Sequence, residues 1–221
     1  MMINHHISDE MLVSYAAGAL SDAARLFVAS HVQLCERCED RVAKATLVGG
    51  HLLETASETP LSDNSFDHLE ALLDKADAEP EEQTGDMTPS ADLSHIPAPL
   101  QLLLGQDYDA LQWKTVAPGV KQYQLPIACE DGEKARLLKL SPGFVTPMHS
   151  HHGHEMTLVL KGSFSDESGR YKVGDVQEAD GEVDHQPIAD TEEDCICFIV
   201  TDAPLQFRGI VGKVLQPILG F

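Results

Sequence analysis

Apolar positions in the first third of the chain recur at helical spacing. Ser8 is followed by Asp9 and Glu10, a capping residue with acids in the first turn. Met11, Leu12, Tyr15 and Ala16 then form one stripe, which Gly18 ends. Ser21-Asp22 repeats the start signal, and Leu26, Phe27, Ser30, His31 and Leu34 follow on one face. From Cys35 the pattern continues through Val42, Ala45, Leu47 and Val48 to Leu52-Leu53, with breaks expected near Cys35–Cys38 and at Gly49-Gly50. Ser62 or Asp63 caps a fourth helix, in which Phe66, Leu69, Leu72 and Leu73 are aligned. The spacing predicts a small four-helix unit over residues 1–76.

The pattern then stops. Residues 77–97 contain Pro80, Pro89 and Pro97, several acids and almost no apolar periodicity, the texture of a flexible acidic linker. From residue 98 to 221 the period shortens to that of strands. Lys121–Leu125, Ala135–Leu140, Thr157–Leu160 and Asp194–Thr201 alternate with turns at Pro118-Gly119, Asp131-Gly132, Pro142-Gly143, Ser168-Gly169 and Gly174-Asp175. Strands spaced like this predict a sandwich or barrel. The fold class is therefore multi-domain, helices followed by β-structure, without an internal repeat.

Composition narrows the function classes. The formal net charge of −21 is spread along the chain, with 14 acidic against 5 basic residues in 1–80 and 18 against 10 in 100–221. Phosphate contacts need clustered Lys and Arg, so direct nucleic-acid binding is disfavoured, whereas a basic partner protein would be attracted. Acidity also serves solubility alone. No apolar run approaches a membrane span, and the N-terminus lacks a basic region followed by an apolar core. A cytoplasmic location is expected, and there five cysteines favour metal or redox use over a disulfide framework.

Two constellations carry chemistry. His31, Cys35 and Cys38 read H-x3-C-x2-C, and on a helix they fall on one face, an N/S donor set suited to Zn²⁺ and one ligand short of closure. His149 and His151 alternate along a strand; Glu155 can return to their face after Gly153, and His185 follows in another turn-rich stretch. Three imidazoles and a carboxylate make a harder site for Zn, Fe, Mn or Ni. His152 and His154 point elsewhere, with His154 the alternative ligand. His51, His68 and His95 lack ligand spacing. Cys195 and Cys197 share a strand face and read as small buried hydrophobes, or alternatively as an oxidant-sensing pair.

Gly143, His149, His151, Glu155 and Gly162 match the first cupin motif, G-x5-H-x-H-x3-E-x6-G, with every spacing kept. Of the second motif, Gly174 and His185 are in register, while Asp180, Glu182 and Ala189 replace the usual Pro, Gly and Asn. The second half thus resembles a cupin-type β-barrel, or jelly roll. The first half resembles the zinc-binding anti-sigma domain, whose signature is an early His followed by H-x3-C-x2-C. His6 is preferred over His5 as that early ligand.

Together the chain is similar to ChrR-type anti-sigma factors. The resemblance implies a structural zinc on His6, His31, Cys35 and Cys38, and a partner sigma factor of the extracytoplasmic-function type held by residues 1–76. It also implies a metal-binding receiver responding to singlet oxygen or peroxide stress, rather than catalysis. The competing reading is a cupin metalloenzyme, a dioxygenase or isomerase with a zinc-binding appendage.

Overall fold

The structure, a computed structural model, describes residues 2–62, 64–78, 93–130, 132–151, 153–180, 184–203 and 205–207, and leaves out the side chains of 76–78, 151 and 205–207. The start signals precede helices α1 (Asp9–Ala16), α2 (Asp22–Leu34), α3 (Glu36–Thr55) and α4 (Ser65–Ala78). Ser21 caps α2 by accepting from the Ala24 N–H at 3.2 Å. Ser8 occupies the corresponding position of α1, but its hydroxyl donates instead to Glu178 across the molecule. Asp63, one of the two predicted caps of α4, lies outside the described residues.

Of the two breaks expected along the third helix, one is absent and one is found. Gly49-Gly50 does not interrupt α3, which is continuous to Thr55. Each glycine costs a helix about 1 kcal/mol relative to alanine, but neither forbids helical torsions. The real break is at Cys35, whose extended backbone (φ −125°, ψ 96°) ends α2 and opens α3. His31, Cys35 and Cys38 therefore sit around an elbow between two helices, not along one.

Residues 79–92 of the expected linker lie outside the described residues. The β-half opens with an unpredicted helix, α5 (Ala98–Leu104), which buries Leu100 and Leu104 and ends at Gly105 in the left-handed region. Eleven strands follow among the described residues: β1 (Lys114–Ala117), β2 (Val120–Gln124), β3 (Lys134–Leu140), β4 (His149–His151), β5 (Glu155–Lys161), β6 (Ser163–Asp166), β7 (Gly169–Lys172), β8 (Val176–Ala179), β9 (Ile188–Ala189), β10 (Cys195–Thr201) and β11 (Leu205–Phe207).

They form an antiparallel six-stranded sheet β1-β2-β3-β10-β5-β8, a three-stranded sheet β7-β6-β9 and the pair β11-β4. The ladders among the described residues do not close into one continuous barrel. Isolated bridges at His149–His185 and Val145–Ile188 join β4 and the chain before it to the region around β9.

Strand β10 lies in the large sheet between β3 and β5, and its apolar run is buried on both faces. Cys195, Cys197 and Ile199 point into the barrel with Leu138, Leu140, Val159, Phe164 and Tyr171. Ile196, Phe198 and Val200 point the other way, into a core shared with Ile7, Leu12, Phe27 and Val28 of the helical unit. Phe27 packs on Phe198 with ring centroids 5.4 Å apart. The large sheet is thus a middle layer, with helices on one side and the barrel interior on the other.

Candidate metal centres

At the α2–α3 elbow, His6, His31, Cys35 and Cys38 bring their ligand atoms within 4.8 Å of one another. His31 and Cys38 are fully buried and Cys35 is nearly so. The His31 Nδ1 atom is 2.9 Å from the Gly174 carbonyl, which can only accept, so Nδ1 carries the proton and Nε2 presents a lone pair. That Nε2 is 3.2 Å from Cys38 Sγ, and His6 Nδ1 is 3.3 Å from Cys35 Sγ and 3.7 Å from Cys38 Sγ. With Zn–N near 2.0–2.1 Å and Zn–S near 2.3 Å, the edges of a tetrahedron would run from about 3.4 to 3.8 Å. The spacing and the N₂S₂ donor set both fit zinc.

His5 turns away from this cluster: its ring lies 4.3 Å from that of Tyr171 and its Nδ1 is 3.6 Å from Asp175. Without a metal, burial lowers the His31 imidazole from 6.5 to about 4. Burial, with the neighbouring Cys35 sulfur, pushes the Cys38 thiol from 9.0 up to about 11. Without a metal, His31 and Cys38 would therefore both be neutral at physiological pH, and metal binding would displace the Cys38 thiol proton.

The barrel mouth holds a second convergence, of His149, Glu155 and His185. His149 lies on β4 and Glu155 opens β5. The His149 and His185 Nε2 atoms face each other at 3.0 Å. His149 Nδ1 donates to the Pro147 carbonyl and His185 Nδ1 to the Asp166 carboxylate, each at 2.9 Å. Both Nε2 atoms thus present lone pairs, which repel at this distance unless a cation or proton lies between them. Glu155, 6% exposed, completes a set suited to a divalent metal. The ring of His151 lies outside the described residues, as does His152. His154 is engaged by Asp202 at 3.2 Å, and His51 and His68 are exposed.

Two of the three cupin-motif glycines have reasons in their backbone geometry. A Cβ on Gly162 (φ +69°) would meet the Asp194 carbonyl at 2.6 Å, and Gly174 turns at φ +88° to aim its carbonyl at His31.

The ChrR Cupin-like domain family matches residues 104–204. Over 217 residues, 98% of this chain and 98% of the relative, the sequence is 41% identical to the anti-sigma-E factor ChrR of Cereibacter sphaeroides. The chain belongs to the ChrR family of anti-sigma factors. The crystal structure of Rhodobacter sphaeroides SigE in complex with the anti-sigma ChrR matches it with a TM-score of 0.74 and 39% identity, covering 90% of this chain and 99% of that one. ChrR-family membership displaces the metalloenzyme reading. Among the described residues, no helix is long and apolar enough to cross a membrane.

Three residues of this ChrR-family chain escaped the motifs. Asp166, whose side chain is fully buried, takes bonds from His185 Nδ1, Gln177 Nε2 and the Ser168 hydroxyl and N–H. Burial would raise its carboxyl, but these donors outweigh it and hold the group well below the usual carboxylate range. Arg136 is buried on the barrel side of β3 and donates to Thr201 at 3.2 Å. Asp175 anchors the chain segment that carries His6. Nothing in local spacing marks these three; an apolar strand interrupted by a charge, as at Arg136, is the only signal available.

Proposed function

We propose that this chain is a cytoplasmic, zinc-containing anti-sigma factor. Residues 1–76 sequester a sigma factor of the extracytoplasmic-function type. Residues 98–221, joined through the acidic segment 77–97, receive an oxidative signal, singlet oxygen or peroxide, and lower that affinity. Zn²⁺ occupies His6, His31, Cys35 and Cys38 and fastens the elbow. Zn²⁺ or another divalent metal occupies His149, His151, Glu155 and His185. Neither half contacts nucleic acid or membrane directly.

The observation that carries this reading is the apolar surface left on two helices. Leu47, Val48, Leu52 and Leu53 on α3, and Phe66, Leu69, Leu72 and Leu73 on α4, are all exposed. Exposed apolar rows of this kind on a helix mark an interaction site. Asp67, Glu70 and Asp74 accompany it on α4, so the surface suits a basic partner. The relative's complex with SigE supports the choice of partner. A fully four-coordinate N₂S₂ site would leave no position for substrate, which supports a structural zinc at the elbow and a sensing role for the barrel half.

The test is co-expression of the full chain with the extracytoplasmic-function sigma factor of the same organism. The two should copurify, and the chain should inhibit transcription from that sigma factor's promoter. Exposure to a singlet-oxygen generator should then release sigma. Turning a 99:1 bound population into 1:99 needs a differential of about 5.5 kcal/mol between the signalled and resting states. A chain that neither copurifies with nor inhibits the sigma factor would defeat the reading.

A further inference from the structure

One turn of the β-half, Lys172–Val176, touches both protein segments that bring histidines to the elbow cluster. From α2, His31 donates its Nδ1–H to the Gly174 carbonyl at 2.9 Å. From the N-terminal arm, the Asn4 and His5 N–H groups donate to Asp175 Oδ1 at 2.7 and 3.0 Å, and the Val176 N–H donates to the His5 carbonyl at 3.2 Å. His6 is the next residue. Asp175 is 1% exposed, and its second oxygen is held by the Lys172 N–H at 2.9 Å, so the carboxylate cannot swing away without breaking its own turn. Two residues beyond His6, the Ser8 N–H donates to Glu178 at 3.1 Å.

We propose that this turn is a clasp, by which the barrel half holds the Cys/His cluster of the helical unit in its metal-binding geometry. The inference rests on the reading that this cluster binds zinc. Gly174 fixes which nitrogen of His31 faces the metal; Asp175 is the positioning residue that holds the arm so that His6 arrives from the opposite side. Neither touches a ligand sulfur, and neither is supplied by residues 1–76. The helical unit supplies all four ligands, and its neighbour supplies the hydrogen bonds that orient two of them.

The same turn is tied to the barrel site. Gly174 N–H donates to the Val159 carbonyl and Val159 N–H to the Asp175 carbonyl, at 2.9 and 3.1 Å. It leads directly into β8, which pairs with β5 so that Ala179 opposes Glu155, a member of the barrel cluster. A shift of the β5–β8 edge would move the Gly174 carbonyl and the Asp175 carboxylate together, and with them His31 and His6. Because coupling between sites is reciprocal, metal at the elbow must also tighten this edge.

Cobalt(II) bound to the full chain tests the clasp, because a thiolate-to-cobalt charge-transfer band reports the Cys35/Cys38 site selectively; Cys35→Ser should abolish it. In Asp175→Asn, the amide can no longer accept on both sides. Loss of a supporting hydrogen-bond partner costs metal sites roughly 10–100-fold in affinity, and the cobalt titration should weaken by about that factor. The exposed-surface variant Glu178→Ala should weaken it less, in the same direction, and decides the matter should Asp175→Asn not fold by circular dichroism. Wild-type affinity and an unchanged band in the folded variants would overturn the clasp alone. Absence of the thiolate band from the wild-type chain would overturn the metal reading and the clasp together.

Discussion

A histidine whose Nδ1–H is committed to a carbonyl or carboxylate has its other nitrogen assigned, and three histidines of the two clusters are fixed that way: His31 by Gly174, His149 by Pro147 and His185 by Asp166. For His185 the fixing group is a buried aspartate that is itself held by Gln177 and Ser168. Asp166→Ala should therefore weaken divalent-metal binding at the barrel roughly 10–100-fold in a calorimetric zinc titration, while the elbow site keeps its affinity. A second residue-level prediction concerns metal-free protein. Burial lowers folded His31 from 6.5 to about 4, so between those values the unfolded chain binds a proton that the folded chain does not. Stability must fall as pH drops through that window, by up to about 3 kcal/mol from this group. Urea unfolding of chelator-stripped protein at pH 4.5 and 7 should show the loss, and His31→Gln should remove most of the difference. The clustered residues were legible because His and Cys recur at the fixed spacing a metal would need; Asp166 and Asp175 were not, because a supporting carboxylate can come from any distance along the chain.

At the level of elements, strands of strong alternation or continuous apolar character were readable to within a residue or two, as β3 and β10 illustrate. Helix α5 was missed because seven residues are too short for periodicity, although Pro99 near its start and Gly105 at its end were available signals. The break at Cys35 is legible only to within a few residues, and a glycine pair does not distinguish a broken helix from a continuous one. Convergence of side chains on one point bends a chain more firmly than two permissive residues do. Burial separates the consequences of substitution. Phe198→Ala should cost about 3–5 kcal/mol, measured by denaturant unfolding, because its fully buried ring packs on Phe27 between sheet and helices. Leu72→Glu on α4, where the side chain is 49% exposed, should leave the melting temperature within a few degrees of wild type. It should weaken sigma binding by about 2 kcal/mol, roughly 30-fold in Kd by a binding titration, if Leu72 lies at the centre of the apolar surface. Equal affinity of this variant would move the interface off α4.

The molecule as a whole departs from two beads on a string. Ile7, Leu12, Phe27 and Val28 of the helical unit and Leu158, Phe198 and Val200 of the sheet belong to one buried cluster. Polar contacts span the same boundary: Ser21 donates to Glu133 at 2.6 Å, and the Asp175 and Glu178 contacts hold the arm. The sequence could not reveal this, since each apolar stripe predicts that a face is covered but not what covers it. For the proposed function the arrangement has a consequence: a signal received at the barrel would not have to travel through residues 77–97, because packing already joins the barrel half to the helices. Introducing a protease site between residues 79 and 92 and cutting it should leave the two fragments associated, coeluting on gel filtration at micromolar concentration without denaturant. Cutting removes only the tether's effective concentration, while the shared apolar core and the Asp175 clasp remain. The cut protein should also still bind and release its sigma factor. Fragments that separate on cutting would show that the tether, not the interface, joins the halves, and would return signal transmission to the linker.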